Sequence, residues 1–324
     1  MDYLLLVVGL ALLLLGANSL VDSSVAIAQK AKISNFIIGL TIVGIGTSAP
    51  ELFISISSSV TGHGDVAMGN VIGSNICNIL LILGVTATIC PFAINKKISK
   101  VDLPFGIGAA LLLVLLANDS LVPGIQENSL SRLDGIFMLF VFVAYMSYVI
   151  VVKGRNPQEA VAEADEQTKS PLSGKNVVLL SVIAVASLAA LIGGGQMFLN
   201  SAESLAHAWG VSEAVISITI VAVGTSLPEL ITAVIAATKN NPELALGNVI
   251  GSNVFNVLMI LGIASTISPI TVSSIRIADY LVMLAAAVAS YAVVRTFRRD
   301  FFDRVEGILF LVAYVAYNVY LFVR

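Results

Sequence analysis

Charged residues are scarce in this chain, and their scarcity indicates its class. Only 11% of the 324 residues are charged, against 57% that are hydrophobic, whereas soluble domains carry roughly 25% charged residues. With a mean hydropathy of +0.97, the chain is predicted to be an integral membrane protein that contacts a lipid bilayer. No basic stretch with interleaved aromatic residues occurs, so neither nucleic acid nor a protein partner is implied.

Histidine and cysteine are nearly absent as well. The two histidines are isolated and no H-E-x-x-H motif occurs, which argues against an intramembrane zinc protease and against a soft-metal site. Cys77 and Cys90 lie in or at the end of an apolar segment, so we expect no disulfide framework and interpret both as small core residues. These residues therefore give no indication of an enzyme or of a bound cofactor.

Long apolar runs fill most of the chain. A helix needs about 20 apolar residues to cross a bilayer, and ten runs approach that length. We predict an all-α integral membrane fold with ten transmembrane helices, the second and seventh interrupted by proline and the third and eighth by Gly-Ser-Asn. The predicted spans are residues 3–22, 36–60, 67–90, 102–118, 131–152, 176–199, 213–238, 245–268, 278–295 and 303–323.

One motif occurs twice, at an offset of 178 residues. Its copies are G-T-S-A-P-E with G-N-V-I-G-S-N-I-C-N, and G-T-S-L-P-E with G-N-V-I-G-S-N-V-F-N; residues 37–91 and 215–269 are identical at 26 of 55 positions. Each repeat contains five predicted spans, so the second enters the membrane from the opposite face. Such inverted repeats are typical of secondary transporters, with the substrate site near the midplane between the halves. The predicted units are a first repeat at 1–152, a linker at 153–175 and a second repeat at 176–324.

Lysine and arginine predict the orientation. On this topology 14 of the 17 lie on the face opposite the N-terminus, and such residues concentrate on the cytoplasmic side. We therefore expect a multi-pass protein of the cell (plasma) membrane, with both termini outside and the 153–175 loop in the cytoplasm.

Each motif copy has a glutamate within an apolar segment, where a carboxylate is costly and indicates a functional site. On a helix, Thr47 and Ser48 share a face with Glu51. Pro50 lacks an N–H and loosens the preceding turn, which frees backbone carbonyl oxygens near Thr47. The second copy offers the same groups around Glu229.

The partner spans add further oxygen ligands. Ser74 and Asn78 are four residues apart, as are Ser252 and Asn256, and glycines in the same motif permit close helix approach. Carboxylates, hydroxyls, amides and carbonyls are what Ca²⁺ prefers, and the neutral oxygens also suit Na⁺. Asp102 and Asp279, which open the fourth and ninth spans, are interpreted as interfacial or capping residues.

The doubled motif G-T-S-x-P-E followed by G-N-x-x-G-S-N-x-x-N resembles the α-repeats of sodium/calcium exchangers, in the calcium/cation antiporter superfamily. The resemblance covers nearly the whole chain and is to prokaryotic-type members, because 153–175 has no room for a regulatory Ca²⁺-binding domain. It implies a secondary antiporter that exchanges Ca²⁺ for Na⁺ by alternating access. Cation sites would lie among the second, third, seventh and eighth spans.

The resemblance also implies the ligands. Glu51 and Glu229 would be the shared carboxylates. Some relatives have aspartate where this chain has Asn256, which leaves coupling to K⁺ open. The other implied ligands are Thr47, Thr225, Gly44 and Ala222 by backbone carbonyl, Ser48, Ser226, Ser74 and Ser252 by hydroxyl, and Asn78 and Asn256 by amide.

Two other mechanisms remain open at this point. A proton/Ca²⁺ antiporter would use Glu51 or Glu229 to carry protons, since burial raises the pKa of a carboxyl group. A cation channel could also line a pore with carboxylates, although inverted repeats around one site favour a carrier. The family's proton-coupled relatives have a different motif around the acid.

Overall fold

The computed structural model describes residues 1–119, 128–153, 170–210, 224–296 and 298–323. Most of these residues are helical, and eight helices are long and apolar enough to span a membrane, or nine when one bent pair is counted as a span. The all-α fold class is confirmed, whereas the count of ten stays a prediction because the first part of the seventh span lies outside the described residues. The helices are α1 Asp2–Ala31, α2 Asn35–Thr47, α3 Ala49–Val60, α4 Gly64–Ile89, α5 Ile98–Leu116, α6 Arg132–Val151, α7 Val177–Ala208, α8 Leu227–Thr238, α9 Pro242–Ile267, α10 Ile277–Thr296 and α11 Arg304–Val323.

Helices α1 and α7 pack with their backbones in contact. A Cβ atom on Gly9 would lie 2.6 Å from Phe198 N, and one on Gly16 would lie 2.7 Å from Leu191 N. Glycine is therefore required at both positions for this approach. Both helices run about nine residues past their predicted ends. In α1 the added turns pack against protein, and Val25 is buried there.

The second span breaks where the motif proline predicts. α2 and α3 meet at a 46° bend, and Ser48 between them leaves the helical conformation with φ −82° and ψ 10°. Pro50 occupies the first turn of α3, where its missing N–H costs nothing. Pro228 has the same position in α8, preceded by Ser226 at φ −90° and ψ 6°.

Helices α4 and α9 stay continuous through their Gly-Ser-Asn sequences but widen just beyond them. Residues Cys77–Leu83 of α4 and Phe255–Ile260 of α9 form π-helical turns, which are frequent at functional sites because they disturb the regular hydrogen bonding. Asn78 and Asn256 lie at the start of these turns. The predicted interruption is thus a local widening and not a chain break.

Close approach at the motif glycines is seen for α9. A Cβ atom on Gly251 would lie 2.6 Å from Leu40 O, and one on Gly247 would overlap Phe36 O. Among the described residues, a Cβ atom on Gly73 would have no neighbouring atom within 4 Å. One on Gly69 would contact only the end of the Ile275 side chain. The glycine prediction is therefore confirmed in α9 alone.

Two short antiparallel ladders, not predicted from the sequence, join the motif-bearing halves. β1 (Phe92–Ala93) pairs with β4 (Phe301–Phe302), and β2 (Asn128–Leu130) pairs with β3 (Ile270–Val272). Because β1 precedes the spanning helix α5 and β2 follows it, the ladders lie at opposite ends of the bundle. Each ladder combines one strand from the first half of the chain with one from the second half.

Burial separates the core helices from the lipid-facing ones. Of an 18-residue apolar stretch in each helix, 89% of the residues are buried in α9 and 17% in α11. Large apolar side chains stand outward on the peripheral helices, such as Leu133 at 77% and Phe140 at 70% exposure. The polar motif residues consequently lie in the centre of the bundle, surrounded by helices that present apolar surface to lipid.

Candidate cation-binding site

The two motif glutamates lie buried at equivalent helix starts. Glu51 is in the first turn of α3 and Glu229 in the first turn of α8, and each is 1% exposed. The positive end of a helix dipole favours a carboxylate there. The two carboxyl groups lie within electrostatic range of one another, so the fold brings two acidic side chains together in its core.

Hydroxyl groups surround both carboxylates. Ser48 Oγ donates a hydrogen bond to Glu229 Oε1 over 3.2 Å, which links the two motif copies directly. Thr47 also lies beside Glu229, and Ser74 of α4 lies beside Glu51. Each carboxylate is therefore flanked by one predicted hydroxyl ligand, Ser74 for Glu51 and Ser48 for Glu229, and Ser48 comes from the opposite copy.

Several buried oxygen atoms here have no hydrogen-bond partner among the described residues. A buried polar atom without a partner costs about 1–3 kcal/mol, so a cluster of them indicates that something else satisfies them. A hard cation, which takes 6–8 oxygens, would do so. The atoms that belong to predicted ligands are Glu51 Oε2, Glu229 Oε2, Asn78 Oδ1, Asn256 Oδ1, Ser226 Oγ and Ser252 Oγ.

Four asparagines orient the two amide ligands. Asn78 Nδ2 donates to Asn253 Oδ1 over 3.0 Å, and Asn256 Nδ2 donates to Asn75 Oδ1 over 3.2 Å. Since each amide nitrogen is engaged by the opposite motif copy, each Oδ1 is left to face elsewhere. Sequence analysis missed Asn75 and Asn253, although both stand inside the doubled motif.

Two further asparagines brace the helix breaks. Asn70 Nδ2 donates to the Glu51 carbonyl over 3.2 Å, and Asn248 Nδ2 donates to the Glu229 carbonyl over 3.4 Å. Thr47 Oγ1 donates to Asn248 Oδ1 over 3.1 Å. The bond from an asparagine Nδ2 to the glutamate carbonyl thus occurs in both halves, and it fixes the turn that carries each glutamate.

The backbone-carbonyl ligands are less clearly arranged. The Gly44 carbonyl already accepts the Ser48 N–H over 3.2 Å and lies 3.5 Å from the Thr47 hydroxyl, so it would bind an ion only in addition to these contacts. Thr225 is half-buried in the turn before α8. Ala222 lies outside the described residues.

Two aspartates form matching pairs with tyrosines. Tyr145 donates to Asp102 over 2.8 Å and Tyr317 donates to Asp279 over 3.1 Å. Asp279 also accepts the Arg276 N–H over 3.1 Å, as the capping interpretation predicts. The interfacial or capping interpretation is wrong for Asp102, which is 0% exposed and makes no side-chain cap, because Tyr145 stabilises it inside the bundle.

The described residues contain no group of three or more histidine, cysteine or acidic side chains suited to a metal. A soft-metal centre is therefore not formed by the described part of the chain. The two carboxylates stand among neutral oxygens, a combination that suits a transported hard cation better than a permanently bound transition metal.

Comparison with known proteins decides the family. The family model described as sodium/calcium exchanger protein matches residues 1–151 and 179–323. The chain belongs to the sodium/calcium exchanger family. This is a family of membrane transporters and not of enzymes.

Individual membrane proteins are similar to this chain over most of its length. The sodium/calcium exchanger MaX1 of Methanosarcina acetivorans is 31% identical, covering 99% of this chain and 98% of MaX1. The inner membrane protein YrbG of Escherichia coli is 33% identical, covering 88% of this chain and 86% of YrbG. The structure of the sodium-calcium exchanger NCX_Mj soaked with zero Na⁺ and Ca²⁺ superimposes with a TM-score of 0.82 at 29% identity, covering 99% of this chain and 98% of that one. This family member is accordingly a multi-pass membrane protein.

Proposed function

We propose that this exchanger moves Ca²⁺ in one direction and Na⁺ in the other by alternating access, with Glu51 and Glu229 as shared ligands. The observation that carries the proposal is the Ser48–Glu229 hydrogen bond beside carboxylate oxygens that are buried and unpartnered among the described residues. Two carboxylates match the charge of one Ca²⁺. The remaining proposed ligands are Thr47, Thr225, Gly44, Ala222, Ser48, Ser226, Ser74, Ser252, Asn78 and Asn256.

Exchange follows from competition at this site. If Na⁺ and Ca²⁺ both need the same two carboxylates, occupancy by one ion excludes the other. A site left with two bare carboxylates in a low-dielectric core is strongly disfavoured, which discourages the empty carrier from reorienting. Coupling then requires no separate device.

The two halves supply the moving parts. We propose that residues 1–152 and 176–324 are inverted five-helix repeats joined by a cytoplasmic linker at 153–175, with both termini outside the cell. Helices α4 and α9 contact each other across the halves through the four asparagines. Rearrangement of the other helices around that pair would expose the ions to either side.

Na⁺ is favoured over H⁺ as the coupling ion. The similar proteins MaX1 and NCX_Mj are both named as sodium/calcium exchangers, and neutral oxygens of Ser and Asn around the glutamates suit a second hard cation. Proton coupling through either glutamate is the nearest rival. A channel is less compatible with acids sealed at 1% exposure.

Ca²⁺ uptake into proteoliposomes tests the proposal. An outward gradient of Na⁺, of K⁺ or of protons is imposed in turn, with the membrane potential clamped. We expect uptake with the Na⁺ gradient, saturation with Ca²⁺ and no uptake without a counter-ion. Uptake driven by the proton gradient alone would favour the rival, and uptake without any counter-ion would indicate a channel.

A further inference from the structure

A cleft of about 720 Å³ opens at the end of the bundle where α5 begins and α10 ends. Four basic side chains and one acid line it, and we call it the basic cleft. Its position at the ends of two spanning helices is that of a bilayer's polar boundary. The lining residues are Lys96, Lys100, Arg295, Arg299 and Asp300.

The positive charge in the basic cleft is not neutralised within the described structure. None of the four basic side chains that line the cleft forms an ion pair with a described residue, and the ion pair between Lys239 and Asp22 lies elsewhere in the molecule. The Asp300 carboxylate accepts the Ser99 hydroxyl over 2.7 Å. Four cations facing one acid repel one another unless an anion enters.

Arg295 is prepared for a ligand. Its guanidinium lies 5.3 Å from the centre of the Tyr291 ring, a cation–π contact that holds the group in place. Its Nε is shielded from solvent and has no hydrogen-bond partner among the described residues. A shielded donor of this kind calls for an acceptor, and arginine matches phosphate oxygens especially well.

The backbone of the basic cleft is held by the β1–β4 ladder. Ile94 N donates to Asp300 O over 2.8 Å, and Asp300 N donates to Val294 O over 2.9 Å. Phe92 and Phe302, which face each other in the ladder, stack with ring centres 6.0 Å apart. The cations around the end of α10 and around the start of α5 are therefore brought together by a fixed scaffold.

The inverted half does not reproduce this cluster. The segment before α10 has Ser273 and Ser274 where the segment before α5 has Lys96 and Lys97. There, Asp65 accepts hydrogen bonds from Ser273 Oγ over 2.7 Å and from Ser274 N over 2.9 Å. Because the equivalent ladder forms without the basic residues, the fold itself does not require them.

We propose that the basic cleft binds the phosphate of an anionic phospholipid headgroup. The outward face of α10 beside it carries exposed apolar residues, including Leu281 and Val288, along which acyl chains can lie. A zwitterionic headgroup would bring its own positively charged group towards the four basic side chains of the cleft, which would repel it. The site therefore selects a lipid with net negative charge.

Native mass spectrometry of the detergent-purified exchanger, titrated with phosphatidylglycerol, tests this. The variant is Lys96→Gln/Lys100→Gln; both lysines are exposed, so the fold is retained. The matched control is Lys30→Gln/Lys32→Gln, which removes two exposed lysines near the same end of the bundle. A basic residue near an anionic surface contributes about 1 kcal/mol to binding. We therefore expect the variant to bind phosphatidylglycerol at least about tenfold more weakly than the parent protein, and the control to bind it with nearly the parent affinity.

Three outcomes would overturn the proposal. Equal weakening in both variants would show general charge attraction and not a site. Equally tight binding of phosphatidylcholine would show that net lipid charge is not recognised. Displacement of the lipid by millimolar inorganic phosphate would assign the cleft to a free anion. Because the readout is binding, it is independent of whether the exchanger couples Ca²⁺ to Na⁺.

Discussion

The Ser48 hydroxyl donates a hydrogen bond to Oε1 of Glu229, 181 residues further along the chain. The two residues belong to opposite copies of the motif. One half of the molecule therefore orients the carboxylate supplied by the other, and the proposed ion site is complete only when both halves are in place.

Ser48→Ala should impair Ca²⁺ exchange more than it impairs folding. Hydrogen bonds to charged groups contribute about 1.5–3 kcal/mol, so we expect roughly a tenfold or greater rise in the Ca²⁺ concentration for half-maximal exchange. Ser57→Ala, on the exposed side of α3, is the control and should behave like the parent protein. Transport is measured as Ca²⁺ uptake into Na⁺-loaded proteoliposomes. An unchanged Ca²⁺ dependence in Ser48→Ala would remove the hydroxyl from the site.

The asparagine pairs lead to a second prediction. Asn253→Ala removes the acceptor for Asn78 Nδ2, and Asn75→Ala removes the acceptor for Asn256 Nδ2. Either change frees a ligand amide to rotate, and we expect apparent Ca²⁺ affinity to fall by about tenfold, from a lost bond of about 1 kcal/mol plus misorientation. Asn118→Ala also loses an amide hydrogen bond, to Val114 O, and should leave affinity unchanged. Equal effects from all three would point to stability and not to ligand positioning.

Sequence reasoning identified the centre of this molecule but not how its halves interlock. The doubled acids, hydroxyls and amides could be recognised because their polarity contradicts the apolar segments around them. The pairing of Asn78 with Asn253 could not be, since it depends on the register between α4 and α9. The π-helical turn at Asn78 is likewise a product of packing, because no residue type there demands it.

Helix ends show the same limit. Hydropathy marked the end of the first span near Asp22, where charge begins, yet α1 continues to Ala31 because its last turns pack against protein. Asp102 was misjudged for a related reason: a carboxylate at the edge of an apolar run resembles an interfacial residue. Only the three-dimensional structure shows Tyr145 donating to it.

Orientation can be tested by accessibility. In a background with Cys77 and Cys90 replaced, a cysteine at Ser173 should react with an impermeant thiol reagent only from the cytoplasmic side. One at His63 should react only from outside. Both positions are exposed, so labelling reports topology and not burial. Labelling of both from one side would contradict the inverted arrangement.

K⁺ should not be required. The family resemblance implies an aspartate in some relatives where this chain has Asn256, so we expect one buried carboxylate fewer at that position. With less negative charge to balance, fewer cations are needed per cycle. Na⁺-driven Ca²⁺ uptake should proceed at full rate in K⁺-free buffer, and an absolute K⁺ requirement on the Ca²⁺ side would show that another group replaces the aspartate.

The carboxylate pair is the central claim, and charge removal without loss of shape probes it most directly. Glu51→Gln and Glu229→Gln each keep the side-chain volume but remove one negative charge, so a site that is near neutral with Ca²⁺ bound becomes cationic in a low-dielectric core. Cys77→Ala, beside Asn78, serves as a control that should change exchange little. The deciding measurement is ⁴⁵Ca²⁺ exchange by these variants in Na⁺-loaded vesicles, with normal insertion and purification verified. Loss of exchange in each glutamine variant is the predicted result, and near-parental exchange in either one would contradict the assignment of the ion to this pair.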